Sequence, residues 1–564
     1  MQKIFRVMII IAMLITAYLL ILAWRDDYAD APAVDAVPET TTSVGADIPS
    51  TKGAAGDIPA QTLSVNGATK NDTVTATPNK DAGLITVTTD RYDIKINPEG
   101  GDIVYAALKQ YDATLDSDKP FVLLENNSNR VYVAQSGLIG PNGIDTAEGR
   151  ATYSHTANNY VMEKGQQTLS VPLTYQKDGV TVTKTFTFTH DSYPIDISYQ
   201  IQNASEAPWQ GQMFAQLKRD NSKDPGMSDK GALSMATYLG GAWGTPDDPY
   251  NKLKFGKFND SELTTTSDKG WVGIVQHYFV SAWTPENFTG KFFSRETGND
   301  YFIGFNSQPV NVAPNKQITL NATLYAGPKV QSELKEVAVG LNQTVDYGLL
   351  WPISKILFAI LDGIHKVIGN WGWSIILLTL LVKIALMWVS NKSYYSMAKM
   401  RAIAPRLAVL KEEHGDDRMK MSQEMMAIYK EEKVNPMAGC LPILMQMPIF
   451  LALYWVLVES VELRHAPWIL WIHDLSAMDP WFILPLLMGA SMFIQQQLNP
   501  QPADPMQAKV MKFLPIIFTA FMLFFPAGLV LYWTVNNLFS MTQQYLINRK
   551  VEEEQKRRTV KVLD

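Results

Sequence analysis

One cysteine, Cys440, is all that 564 residues contain. No intrachain disulfide can form, so the fold does not depend on an oxidising compartment. A lone cysteine without a histidine at ligand spacing reads as a small buried residue. The phosphate cradle GxxxxGK[ST] is missing, as are HExxH and GxSxG, so neither nucleotide use nor chemistry on a covalent bond has support. Nothing calls for a cofactor or a metal, and the chain does not read as an enzyme. Charge is modest too, with 18% charged residues and a net charge of −6.

What is abundant is apolar sequence, and it is unevenly placed. The first 350 residues are polar apart from Ile4 to Ala23, a run that follows Lys3 and Arg6. That run has the length of a span rather than of a signal h-region, which favours an uncleaved anchor over 1–24. A cleaved signal is the alternative, and Ala29-Asp30-Ala31 has the small-x-small form. The C-terminal 200 residues carry five more candidate spans, about 371–390, 441–461, 481–498, 511–525 and 527–546. Only Phe525-Pro526-Ala527-Gly528 separates the last two, which predicts a hairpin. Nine Lys and Arg lie in 392–433 and six in the tail 549–564, whereas 464–480 holds only Arg464. The positive-inside rule then puts both termini in the cytoplasm and the large polar region in the periplasm.

Residues 25–80 are rich in Ala, Thr, Pro, Asp and Gly without periodicity and read as a flexible tether. From 81 to 345 the pattern is strand-like. In VTVTKTFTFTH, 180–190, Val180, Val182, Lys184, Phe186 and Phe188 share one face and five threonines the other. Recurrent short strands with Gly, Asn and Pro turns predict a β-sandwich. Segment 349–368 changes to helical period and predicts an amphipathic helix on the membrane surface, with a soluble helix under the sandwich as the alternative. Segment 392–435 predicts two antiparallel helices with a turn at His414-Gly415-Asp416-Asp417 and a kink at Pro405. Met400 and Met425 lie on its apolar seams, and Arg401, Arg406 and Tyr429 accompany them. Its outer charges could dock a partner or merely be solvated.

The run LLTLLVKIALMWV, 377–389, carries one lysine in an apolar helix. Lys383 lies ten residues after Trp373 and nine before Lys392, roughly 15 Å from either boundary at ~1.5 Å per residue. A charge at that depth costs roughly 2.5–3.5 kcal/mol on insertion scales. No Asp or Glu lies near mid-depth in any span to offset it. Thr379, Lys383 and Ser390 fall within about 40° on the helical wheel, a narrow polar stripe. Gln446, Ser491, Gln496, Thr519, Thr534, Asn536 and Asn537 are further polar groups in the spans. A water-filled cavity open to the cytoplasm explains the stripe better than a buried ion pair. A lysine held by carbonyls and Thr379, with the neutral groups as interhelical hydrogen-bonders, is the structural alternative. The methionines clustered in 387–522 read as packing or as an adaptable apolar surface.

Three functions fit these residues. An insertase would draw the polar end of a nascent membrane protein into the cavity while its apolar segment partitions into lipid. A secondary transporter would use Lys383 for an anionic substrate, without the repeats and coupling carboxylates usual there. A tethered scaffold would work through the sandwich and leave Lys383 unexplained.

Four stretches add a family resemblance: SYYSMAKMRAIAPRL (393–407), SQEMMAIYKEEKVNPMAGCLPILMQMPIFLALY (422–454), SVELRHAPWILWIHDLSAMDP (460–480) and FPAGLVLYWTVNNLFSMTQQYLI (525–547). Together they resemble the signature of the bacterial YidC membrane-protein insertases, over nearly all of 345–548. The anchor, tether and sandwich resemble the Gram-negative branch. The resemblance implies a multi-domain inner-membrane protein with six spans. Its parts are a periplasmic β-sandwich and an α-helical insertase core over 346–548, with a hydrophilic groove and a cytoplasmic hairpin at 392–435. It implies that nascent inner-membrane proteins, the lipid bilayer, the translating ribosome and the Sec translocon (SecYEG and SecDF) are partners, and that no nucleotide is used. By position it makes Lys383 the groove charge, where the family commonly has arginine; a lysine keeps the charge but loses the bidentate fork. Thr379 and Trp533 become substrate contacts, and Ser390, Gln446, Gln496 and Asn537 line or border the groove. The family's sandwich resembles sugar-binding folds, but no sugar site is carried over.

Overall fold

The computed structural model describes residues 57–59, 83–115, 117–225, 237–259, 263–414, 418–432, 434, 441–499 and 505–563. The expected N-terminal anchor, nearly all of the tether, Cys440 and the turn residues Gly415 to Asp417 lie outside them. The chain divides into two compact units, with the boundary between Thr344 and Val345.

The first unit is the expected sandwich, an eleven-stranded and a nine-stranded sheet. Pairing is antiparallel except where Ile85–Thr88 runs parallel to Asn159–Val161. The strand Val180–Thr189 alternates as its sequence requires: Val182, Lys184, Phe186 and Phe188 are buried, and the threonines face outward. Asp178-Gly179 joins it to Thr168–Lys177 with positive φ at both residues (50° and 76°), the backbone of a tight hairpin matched to strand twist. Near its end the unit carries a short helix, α1 (Gln331–Val337), followed by a 3-10 turn at Leu341–Thr344.

Lys184 is one departure from an apolar core. It is fully buried and donates to the carbonyls of Gly100 (3.1 Å), Gly101 (2.7 Å) and Ser136 (3.1 Å). Burial pushes its amine down to about 7, with Arg150 acting in the same direction and Asp102 and Asp145 against it. Arg150 itself is clamped between two carboxylates, Nη1 to Asp102 at 2.9 Å and Nε to Asp145 at 2.8 Å. All three side chains are nearly inaccessible, so the paired charges compensate one another's desolvation.

The second unit is helical: α2 (Trp351–Ile368), α3 (Trp371–Ala385), α4 (Met387–Ala402), α5 (Ala404–His414), α6 (Arg418–Glu431), α7 (Leu441–Glu459), α8 (Ile483–Leu498), α9 (Pro505–Met522) and α10 (Ala527–Leu563). The break between α2 and α3 is encoded locally. Gly369 ends α2 in the left-handed conformation (φ 73°), and the Asn370 side chain caps α3 by accepting from the Trp373 amide at 3.1 Å.

Three details differ from the sequence reading. The segment drawn as one span over 371–390 turns by 69° at Leu386, so Lys383 sits in the last turn of α3. The kink expected at Pro405 takes the form of a break in the helix. Ile403 interrupts it and Pro405 falls in the first turn of α5, where no backbone donor is needed. The basic tail is not separate, because α10 continues as helix to Leu563.

By length and hydropathy, Gly348–Ile368 can cross a membrane alone, and bent α3 and α4 can do so together; α7 and α8 contribute shorter apolar helices. Large apolar side chains stand exposed on successive turns, among them Leu377, Leu381 and Ile384 on α3, Leu486, Leu487 and Phe493 on α8, and Phe513, Ile516 and Ile517 on α9. Apolar exposure of this kind marks a surface that meets lipid or another protein. The short loop between α9 and α10 is fixed where Ala527 and Gly528 donate to the carbonyls of Ala477 (2.7 Å) and Leu475 (2.9 Å).

Candidate functional site

The polar content of the helical unit is concentrated on α10. Asn536, Asn537, Ser540, Gln543, Gln544 and Asn548 recur at intervals of three and four, which places them on one face. All six are buried, and α10 packs against α3, α4 and α8. A helix in lipid can hide such a stripe only against other helices or against water.

Lys383 meets this stripe. It is 4% exposed, and its Nζ donates to Ser540 Oγ at 2.7 Å. Ser540 Oγ in turn donates to its own helix at Asn536 O, 2.7 Å away. Position helps, since the last turn of α3 presents the negative end of the helix dipole to the ammonium. An ammonium has three protons to donate, and the described residues supply Lys383 with one acceptor. One turn away on α10, Asn536 Oδ1 has no partner among the described residues. The same holds for Gln543 Oε1, Gln544 Oε1 and Trp533 Nε1.

The residues expected from sequence fall around this seam in different ways. Thr379, one turn before Lys383, is fully buried and donates to its own backbone at Ile375 O, 2.7 Å. Ser390 is buried on α4. Asn537 donates to Ser491 Oγ at 3.1 Å, tying α10 to α8. Gln446 on α7 donates to the hydroxyl of Tyr532, and the next residue, Trp533, lies between Phe450 and Phe518 with both ring centroids at 4.9 Å. Gln496 donates to Met511 O and links α8 to α9. Lys383 and Asn537 therefore belong to the seam, whereas Gln446 and Gln496 are satisfied links between helices.

Among the helix-pair residues, Arg406 near the start of α5 pairs with Glu432 (2.9 Å) and Glu431 (3.7 Å) at the end of α6, so the two helices run past each other. Met400, Met425 and Tyr429 are half-buried and Arg401 is exposed. Sequence reasoning missed Ser540, Gln543, Gln544 and Asn548. Their signal was present as polar recurrence at helical spacing, in a segment otherwise read as apolar span and basic tail.

The chain was compared with known proteins. A family described as the YidC periplasmic domain matches residues 84–360, and one described as the 60Kd inner membrane protein matches 363–555. The membrane protein insertase YidC of Stutzerimonas stutzeri (strain A1501) is 50% identical over 561 residues, covering 97% of this chain and 98% of that one. The protein of the same name from Pseudomonas syringae pv. tomato is 51% identical over 557 residues, with the same coverage of each chain. Among solved structures, an active YidC insertase crystal structure aligns with 82% of this chain and 93% of its own at 18% identity and a TM-score of 0.37.

Proposed function

The chain belongs to the YidC family of membrane protein insertases, and from that premise we propose that it moves newly made inner-membrane proteins into the bilayer through the seam around Lys383. The observation that carries this reading is the unsaturated polar seam. Lys383 has one acceptor, and several buried amide and indole atoms of α10 have no partner among the described residues. Buried polar groups left open cost free energy unless water or a ligand fills them. A hydrated, positively charged recess would attract the short acidic end of a client. The exposed apolar faces of α8 and α9 would give the client's hydrophobic segment a route into lipid, and its partition there would drive the reaction.

In this reading Thr379, Ser390, Trp533 and Asn537 border the client's path, with Gln446 and Gln496 holding the walls. Lying along the membrane surface, α2 would leave α3 with α4, then α7, α8, α9 and α10 as the five core spans. The N-terminal anchor makes six, with both termini cytoplasmic. The pair α5 and α6 would be the cytoplasmic hairpin. The Sec translocon and the translating ribosome would hand over clients, and action alone would serve the smallest ones. A transporter reading is less favoured, because no carboxylate pairs with Lys383 among the described residues.

The test uses purified full-length protein in liposomes, a small client with a short acidic outer segment, and protease protection as the score. Insertion by wild type, weakened in Lys383→Ala at equal incorporation, is expected. Insertion no better than in empty liposomes would refute the reading for the protein acting alone.

A further inference from the structure

One short piece of the expected tether is described, and it is seated on the sandwich. Asp57-Ile58-Pro59 lies against one face of the eleven-stranded sheet, with Pro59 buried. The sheet places four neighbouring strands there, Val131–Ile139, Trp209–Asp220, Asp300–Ser307 and Gly290–Thr297. Register sets the side chains in two rows. Gln135 stands opposite Gln216, and Lys218 stands opposite Phe302, which stands opposite Arg295. Gln216 and Lys218 are two apart on one strand, so both rows face the same way.

Both carboxylate oxygens and the carbonyl of Asp57 are read by this face. Lys218 Nζ meets Oδ1 at 2.7 Å, and Gln135 Nε2 approaches Oδ2 at 3.4 Å. The Asp57 carbonyl accepts from Arg295 Nη2 at 2.9 Å and from the Gln216 amide. The reading groups are themselves held in place. Gln216 Nε2 donates to Gln135 Oε1 at 2.9 Å, Gln135 Nε2 donates to Asp102 at 3.1 Å, and Asp102 pairs with Arg150. The Arg295 guanidinium lies 3.8 Å from the centroid of Phe302, and Asp300 braces Lys218 at 3.1 Å. Gln216 is fully buried and Gln135 nearly so, which makes this a built site rather than a surface encounter.

The occupant is suited to it. Asp57 is helical and the chain bends at Ile58, where the following proline disfavours continuing the helix. The sequence carries the same tripeptide a second time, Asp47-Ile48-Pro49, ten residues upstream. We propose that this face of the sandwich is a binding site for the tripeptide Asp-Ile-Pro, that the chain's own Asp57-Ile58-Pro59 is its resident occupant, and that Asp47-Ile48-Pro49 is the alternate one. Exchange of the two shifts by ten residues the chain left between the site and the N-terminal apolar run.

A zero-length cross-link tests both halves in the full-length protein in detergent. A water-soluble carbodiimide activates a carboxylate, the Lys218 amine displaces the urea, and an amide joins the two side chains. Lys218 to Asp300 is the internal control, since that contact is independent of the tether. Wild type is expected to give Lys218–Asp57 beside the control. Asp57→Ala is expected to give Lys218–Asp47 instead, and Asp47→Ala with Asp57→Ala only the control. Pro59→Gly should lower the Asp57 product several-fold. The control product without any Lys218–Asp57 product in wild type would overturn the site. A Lys218–Asp57 product in wild type with no Lys218–Asp47 product in Asp57→Ala would overturn the exchange.

Discussion

Each unit of this protein buries a lysine deep among apolar residues, Lys184 in the sandwich and Lys383 among the helices, and the two are solved differently. In the sandwich, Lys184 has three protons and three carbonyl acceptors, with the rings of Phe186 and Tyr199 at 5.1 and 5.2 Å. In the helical unit, Lys383 has three protons and, among the described residues, one acceptor, the hydroxyl of Ser540. A saturated ammonium has nothing left to offer an incoming group. An unsaturated one draws water or an acceptor into the place where it sits. Burial alone therefore separates neither lysine from the other; the count of filled donor positions does.

The comparison breaks most sharply at the partners of the first lysine. Removing Arg150 leaves Asp102 and Asp145 buried without their cation, a change that typically costs about 3–5 kcal/mol. Arg150→Ala should lower the thermal unfolding midpoint of the sandwich by many degrees. Insertion by protein that remains folded should stay unchanged, because the site proposed for it lies in the other unit. A loss of insertion at unchanged stability would mean that the sandwich takes part in the reaction.

Next in size is a change at the second lysine. Lys383→Glu puts a carboxylate where acidic client ends are to be drawn in, and insertion should fall by about tenfold or more, a difference of ~1.4 kcal/mol per decade. Lys383→Arg should retain most activity, since the charge is kept. The decisive measurement is protease protection with two clients differing only in the charge of the outer segment. Equal insertion of the acidic client by wild type and the Glu variant would sink the electrostatic part.

These two sites also differ in how much of them could be read beforehand. The sandwich was legible from alternation, as in Val180–Thr189, because a strand buried on one face must repeat with period two. That same alternation put Lys184 on the core face, yet which acceptors it would find depended on the Gly100-Gly101 turn, more than eighty residues away. Lys383 was legible because a charge in an apolar helix is costly enough to be conspicuous. Its partner Ser540 was not, since a serine in a span is cheap and satisfies itself on its own helix at Asn536 O. The turn at Leu386 was hidden as well, because apolar sequence continues through it without Gly or Pro.

A smaller effect, carrying a sign, tests the saturated lysine. Its amine is lowered to about 7 in the folded protein from an ordinary 10.5. Between those values the unfolded chain binds a proton that the folded one does not, so this group makes stability rise with pH across that window. Below about pH 7 both states are protonated and the contribution is constant. Lys184→Met should remove that rise and leave the sandwich as stable as wild type or more so at neutral pH, by up to a few kcal/mol. Unfolding midpoints of wild type and variant at pH 7, 8 and 9 decide it. Parallel curves would mean that Lys184 keeps its proton throughout.

The smallest expected effect falls on the one partner of the unsaturated lysine. Ser540→Ala deletes a single hydroxyl, and a neutral partner to a charge contributes about 1.5–3 kcal/mol when nothing replaces it. If the recess is hydrated, water does replace it, and the loss shrinks to about a twofold change in insertion with no measurable drop in stability. If Lys383 is merely a buried structural group, the same deletion strands an ammonium without an acceptor, and the helical unit should be destabilised by the full amount. Unfolding midpoint and insertion measured on the same Ser540→Ala preparation thus separate a wet, working lysine from a dry, structural one.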